Sequence, residues 1–161
     1  FLTRNGAPLA AVVTTPKIAA VMTQKVHFNT FGGNPIVSAI GKAVLEVIER
    51  ENLQANCLEL GRYLLAGFER LKSRHTVIGD VRGKGLMLCI EMVADTATRA
   101  PLPKTSDIPA RVARAAYRRG LMVRVSGANM ILSPPLVISE AELDFLCSAL
   151  EAAFDEIADT P

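Results

Sequence analysis

The sequence predicts a small α+β domain over residues 34–161, preceded over residues 1–33 by a piece of an α/β domain. Three observations lead there. Helical and strand periodicities alternate along the chain. The later strand candidates are joined by links too short for a crossover, which suits antiparallel pairing. Near the start lies a short, almost wholly apolar run, Pro8-Leu9-Ala10-Ala11-Val12-Val13-Thr14, of the kind shown by a parallel strand covered on both faces.

Taken in order, that run predicts a strand over residues 8–14. Thr15-Pro16 has the form of an N-cap followed by proline at the first helical position, predicting a short helix to about Met22. Residues 27–35 have no periodicity and two adjacent glycines, and read as an ordered loop. Asn34-Pro35 repeats the helix-start signal, and Ile36, Ile40, Val44, Val47 and Ile48 then fall at helical spacing. After Asn52 a second helix places Leu53, Cys57, Leu60, Leu64, Phe68 and Leu71 on one stripe. The period then changes to strands over 77–81 and 86–93, joined by Arg82-Gly83-Lys84-Gly85. Residues 94–106, rich in Thr, Pro and Ala, read as an exposed loop. A helix over 107–119 turns Ile108, Val112, Ala115 and Ala116 to one side and stops at Gly120. Short strands over 121–125 and 130–133 flank a turn at Ser126-Gly127. Ser139-Glu140-Ala141-Glu142 is a capping box, opening a last helix with Leu143, Leu146, Leu150, Phe154 and Ile157 inward.

Half of the 161 residues are apolar and 21% are charged, which excludes a disordered chain and allows a core that needs no staples. Eighteen basic residues against sixteen acidic ones leave a net charge of +2. The basic residues are scattered, so no stripe for nucleic acid is visible. No apolar run reaches the roughly 18–20 residues of a membrane helix, and no membrane partner is expected. The three cysteines (Cys57, Cys89 and Cys147) are far apart in apolar company and read as free thiols of a reducing compartment; a cytoplasmic location is expected. No Cys/His cluster suggests a metal. The first residue is Phe1, and the chain is expected to be a piece of something longer.

Few residues suggest chemistry. Gly83-Lys84-Gly85 lacks the spacing of a phosphate loop and reads as a tight turn. Thr30-Phe31-Gly32-Gly33-Asn34-Pro35 brings a hydroxyl, loop amides and a helix start together, a combination suited to an anion. His27 adjoins that loop, and His75, beside Ser73 and Arg74, reads as solvated. Neither has a partner at a triad's spacing. Arg124 interrupts the apolar run Leu121-Met122-Val123-Arg124-Val125, either as a surface residue of an edge strand or as a carboxylate clamp.

Four stretches then add up to a family: Pro8-Leu9-Ala10-Ala11-Val12-Val13; residues 27–35; Ile78-Gly79-Asp80-Val81-Arg82-Gly83-Lys84-Gly85-Leu86-Met87; and Leu132-Ser133-Pro134-Pro135-Leu136-Val137-Ile138. In that order and at those separations they resemble the C-terminal part of the class III (ω-amino acid) pyridoxal-phosphate-dependent aminotransferases. Residues 27–93 resemble the alanine–glyoxylate aminotransferase 2 type. The resemblance implies a fold-type I (α/β), dimeric enzyme. It would move an amino group from an amine or ω-amino acid to a keto acid such as pyruvate or glyoxylate, with pyridoxal 5′-phosphate as cofactor. Residues 1–33 would end the large cofactor-binding domain, and residues 34–161 would be the connecting helix and the small domain.

Carried over by position, the resemblance makes Thr30 the threonine that hydrogen-bonds the cofactor phosphate in the neighbouring subunit's site. Asn29 would add a backbone amide there. Arg124 matches the mobile arginine of the amine:pyruvate type, whose planar fork suits a carboxylate. Ornithine-type members carry a different arginine just before the Leu-Ser-Pro-Pro motif, where this chain has Ile131. The family's Schiff-base lysine falls at Phe1, and Leu2 and Arg4 stand in place of glycines. The chain alone is therefore expected to be inactive. The rival expectation is a non-catalytic assembly or binding module, its apolar faces left open for self-association.

Overall fold

The computed structural model describes residues 7–158. The chain divides after Asn52 into two compact units.

In the first unit, residues 8–15 have no strand or helix assignment, and Val12 and Val13 are almost fully exposed. The strand expected over residues 8–14 is not formed. A β-branched run becomes a strand only where another strand takes its backbone hydrogen bonds, and among the described residues none does. The helix after Thr15 is shorter than its pattern suggests. It runs as α1 (Pro16–Ala19) and continues as a 3₁₀ turn (Ala20–Gln24), and Thr15 makes no side-chain cap. The long helix α2 (Pro35–Arg50) follows. Its Gly41 is buried because Leu9 lies directly over it; a Cβ there would sit 2.2 Å from Leu9 Cδ2.

The second unit holds α3 (Leu53–Arg74), β1 (Ile78–Lys84), β2 (Met87–Asp95), β3 (Ala100–Pro101), α4 (Ile108–Arg118), β4 (Arg124–Ser126), β5 (Asn129–Leu132) and α5 (Glu140–Ala158). The sheet order is β1-β2-β5-β4, antiparallel throughout, with the two-residue β3 pairing β2. Both main hairpins turn tightly: Lys84 pairs with Met87, and Ser126 with Asn129. The second turn is therefore Gly127-Ala128, one residue later than the sequence suggests. The stretch 94–106, read as loop, contributes β3.

Strand alternation sends Ile78, Val81, Leu88, Ile90, Met92, Met130 and Leu132 to one face, where they meet the stripes of the helices. Leu64 and Phe68 come from α3, Val112 and Ala115 from α4, and Leu143, Leu150 and Phe154 from α5; each is nearly inaccessible. Burying a valine, leucine or phenylalanine side chain contributes about 1.5–3 kcal/mol. Helix ends close as the sequence indicates. At Gly120 (φ +84°) the Leu121 amide donates to Ala116 O and the Gly120 amide to Tyr117 O, both at 3.0 Å, a Schellman arrangement that a left-handed glycine permits. At α5 the Ser139 amide donates to Glu142 Oε2 (2.8 Å) and the Glu142 amide to Ser139 Oγ (3.3 Å). The Ser139 amide, and then the Ser139 hydroxyl that also donates to Oε2 at 2.8 Å, hold the Glu142 carboxyl below its ordinary range. No helix among the described residues is long and apolar enough to cross a membrane.

His75 is buried (6% exposed), not solvated as its polar neighbours suggest. Its ring lies tilted against Phe154 with centroids 5.5 Å apart. Its Nε2 is 3.3 Å from Asp155 Oδ1 without forming a hydrogen bond. Burial pushes its pKa below the ordinary 6.5; Asp155 opposes this and Arg74 adds to it. A base depressed in the fold favours the native state only while neutral. Stability is therefore fully present above pH 6.5 and falls as pH drops through that value toward the folded pKa. The urea midpoint is expected to fall more between about pH 7.5 and about pH 5.5 in the parent chain than in His75→Gln; equal falls would contradict it.

Candidate functional site

The loop before α2 is shaped by two asparagines. Asn29 Oδ1 accepts the Phe31 amide at 3.1 Å and Asn29 O accepts the Gly32 amide at 3.0 Å, so the chain turns sharply around Thr30. Phe31 O accepts the Asn34 amide at 3.4 Å. Gly33, at φ +70°, takes a left-handed conformation that a side chain would strain. Asn34 then caps α2: its Oδ1 accepts the amides of Ile36 (3.0 Å) and Val37 (3.2 Å), and its carbonyl accepts Ser38 at 2.9 Å.

This accounting changes the expectation for anion binding. The sequence suggests that the start of α2 offers free amides, but Asn34 has taken them and Pro35 has none to give. Between Thr30 and Ser38, the backbone amides with no partner among the described residues are those of Thr30 and Gly33, and the Thr30 hydroxyl beside them is also unpaired, as are the Asn34 Nδ2 group and the Ser38 hydroxyl. Thr30 is exposed, and a Cβ built on Gly33 meets nothing within 4 Å. A hydroxyl and an adjacent amide on an open turn form a donor set suited to a phosphate oxygen. His27 is exposed beside the loop.

In the second unit, Arg124 opens the edge strand β4 and lies on the face away from the helices, with no ion pair among the described residues. Its register partner is Ile131. Arg124 and Ile131, the two positions that the resemblance offers for a carboxylate-binding arginine, are thus directly opposed on one sheet face. Two arginines there would repel; isoleucine leaves Arg124 an apolar neighbour. Ile131 and Met122, together with Leu121, Ser133, Pro134 and Phe145, line an apolar hollow at this end of the sheet.

The outward face carries a group that reading Gly83-Lys84-Gly85 as a turn overlooks. Arg82 donates to Asp80 (2.8 Å), Glu91 (2.5 Å) and Asn129 Oδ1 (3.3 Å). Hydrogen bonds to Asp80 and then Glu91 hold its guanidinium above arginine's ordinary value. Cys89 Sγ adds a contact to Asn129 Oδ1 at 3.4 Å. The register sets Arg82, Cys89, Ile131 and Arg124 in one cross-strand row, with Asp80, Glu91, Asn129 and Ser126 in the next. The available signal was two acids equidistant from the hairpin turn, Asp80 and Glu91, with Arg82 two residues nearer the turn. One arginine of the row is neutralised and the other is left open, about 14 Å away across three strand spacings. No group of His, Cys, Asp and Glu among the described residues is arranged to hold a metal.

The family model for class III aminotransferases matches residues 2–154. The chain belongs to that family. It is 44% identical over 156 residues to alanine–glyoxylate aminotransferase 2, mitochondrial, of Pongo abelii, covering 94% of this chain and 30% of that protein. To a homologue of the same mitochondrial enzyme in Arabidopsis thaliana it is 41% identical over 157 residues, covering 95% and 32%. Among solved structures it is similar to an amine transaminase from an uncultivated Pseudomonas species in its PLP-bound form, with 40% identity, TM-score 0.79, and 84% of this chain and 31% of that one covered. It is also similar to an (S)-enantioselective omega-transaminase of Thermomicrobium roseum, with 33% identity, TM-score 0.81, and 90% and 33% covered. The chain thus spans about a third of the length of these relatives. These transaminase structures have the fold-type I architecture expected from the sequence.

The expected cytoplasmic location is corrected by this comparison, because these curated relatives are named as mitochondrial. Free thiols indicate a reducing environment and do not distinguish one such compartment from another. The positions matching the Schiff-base lysine and the glycines, Phe1, Leu2 and Arg4, lie outside the described residues.

The cap that closes α2 is open to test. Asn34→Ala is expected to cost about 1 kcal/mol, read as lost helical ellipticity and a lower thermal midpoint; an unchanged midpoint would show that another group satisfies those amides.

Proposed function

We propose that the chain is one part of a pyridoxal-phosphate-dependent aminotransferase that transfers an amino group from an amine or ω-amino acid to a small keto acid such as pyruvate or glyoxylate. Residues 1–33 would close the large cofactor-binding domain. Residues 34–161 would form the connecting helix and the small domain. The enzyme would be a homodimer in which Thr30 reaches the neighbouring subunit's site. The chain alone would be inactive.

The observation that carries this reading is the unspent donor set at Thr30 in a chain of this family. Bound there, pyridoxal phosphate would supply the electron sink that amino-group transfer requires. The chain's own part is positioning. Thr30 offers its hydroxyl and amide to the phosphate. Arg124 offers two parallel N–H donors to the carboxylate of the keto acid. Ile131 keeps the place opposite Arg124 free of a second charge, which favours amine donors lacking an α-carboxylate. The hollow beside Ile131 and Met122 would receive apolar parts of the substrate.

Arg124→Ala in the full-length enzyme is expected to raise KM for pyruvate or glyoxylate by roughly 10–100-fold, the loss of a charged hydrogen-bonded pair. KM for an amine donor without a carboxylate should stay within about 2-fold, because that donor brings nothing for the guanidinium to bind. An unchanged keto-acid KM would remove Arg124 from the substrate site.

A further inference from the structure

We propose that Asn29 is a positioning residue for phosphate, acting through its side-chain oxygen; this rests on the assignment of Thr30 as the phosphate-binding hydroxyl. Asn29 accepts the next two available amides of the loop, Phe31 on Oδ1 (3.1 Å) and Gly32 on the backbone oxygen (3.0 Å). Thr30 lies between those anchor points, and both its hydroxyl and its amide are left without a partner among the described residues. The turn is packed closed upon Asn29: a Cβ on Gly32 would sit 3.2 Å from Asn29 O and 3.3 Å from Asn29 Cβ. The Asn29 carboxamide therefore sets the backbone direction at which Thr30 leaves the turn.

The residue type fits this role. A short side-chain acceptor two residues before the amide it receives closes a turn that an alanine leaves untied. An aspartate would close the same turn, but it would place a carboxylate beside a phosphate. The neutral carboxamide ties the loop without that repulsion. The Phe31 amide, once bound to Asn29 Oδ1, is also withdrawn as a competing donor, while Thr30 keeps both its hydroxyl and its amide free of partners among the described residues.

The test uses the full-length apoenzyme titrated with pyridoxal phosphate and, separately, with pyridoxal, which lacks the phosphate. Both are followed by cofactor absorbance. Asn29→Ala keeps the backbone amide and removes only the carboxamide. It is expected to weaken pyridoxal phosphate roughly 5–10-fold, the equivalent of one hydrogen bond, and to leave pyridoxal unchanged. Asn29→Ser, which keeps an acceptor, should recover most of the loss. Asn29→Asp should weaken the phosphate form more than the serine variant does. In a Thr30→Ala background the effect of Asn29→Ala should shrink to within about 2-fold, because the two act as one unit.

Each contrary outcome is distinct. If Thr30→Ala weakens the phosphate form while Asn29→Ala does not, the proposal is wrong and the Thr30 assignment stands. Equal losses for pyridoxal and pyridoxal phosphate would make Asn29 merely structural and overturn it. If Thr30→Ala has no phosphate-specific effect, the assignment fails and the proposal falls with it.

Discussion

All three long helices of the second unit cover a single face of its sheet, and most of what the chain can do follows from that. Successive strand residues point to opposite faces. A side chain's place in the alternation therefore decides whether it belongs to the core or remains available. Met130 and Leu132 go inward, while Asn129 and Ile131 go outward. Arg124 is outward by the same rule, and its exposure follows from Val123 and Val125 packing against the core on either side of it. A one-residue slip of β4 against β5 would turn Arg124 into an apolar core, where an unpaired guanidinium is costly. The hairpin at Gly127-Ala128 and the inward stripe together hold the register.

A second form of selection operates at the loop before α2, where hydrogen bonds rather than burial decide what is available. Backbone amides in an ordered turn are either taken by the chain or left for a ligand or solvent. Asn29 takes two amides with its oxygens and Asn34 takes three. The helix terminus itself is closed, and Thr30 keeps an unpaired hydroxyl and amide on the turn before it, with the unpaired Gly33 amide nearby. The helix dipole still favours negative charge near this end, but the contacts must come from the turn.

Much of the second unit was legible because its signals are local and mutually consistent. The stripe from Leu53 to Leu71, the stop at Gly120 and the Ser139–Glu142 box each depend on residues within a few turns of one another, and each appears in the structure. The failures share a cause in distant partners. Residues 8–14 have strand composition, but pairing needs another strand, and composition cannot supply one. His75 sits among polar neighbours in sequence, yet is buried against Phe154 from the last helix. Arg82 looked like part of a turn because Glu91 and Asn129 lie on two other strands. At the loop, the glycines and both asparagines were visible, whereas which amides they consume required the geometry.

The central claim is that Thr30, not the start of α2, meets the cofactor's phosphate. The most direct measurement is a crystal structure of the full-length enzyme with pyridoxal phosphate bound. The account predicts the Thr30 Oγ1 about 2.5–3.0 Å from a phosphate oxygen, with the Ile36 and Val37 amides still on Asn34 Oδ1. A phosphate seated on those two amides, with the Thr30 hydroxyl beyond hydrogen-bonding reach, would contradict it.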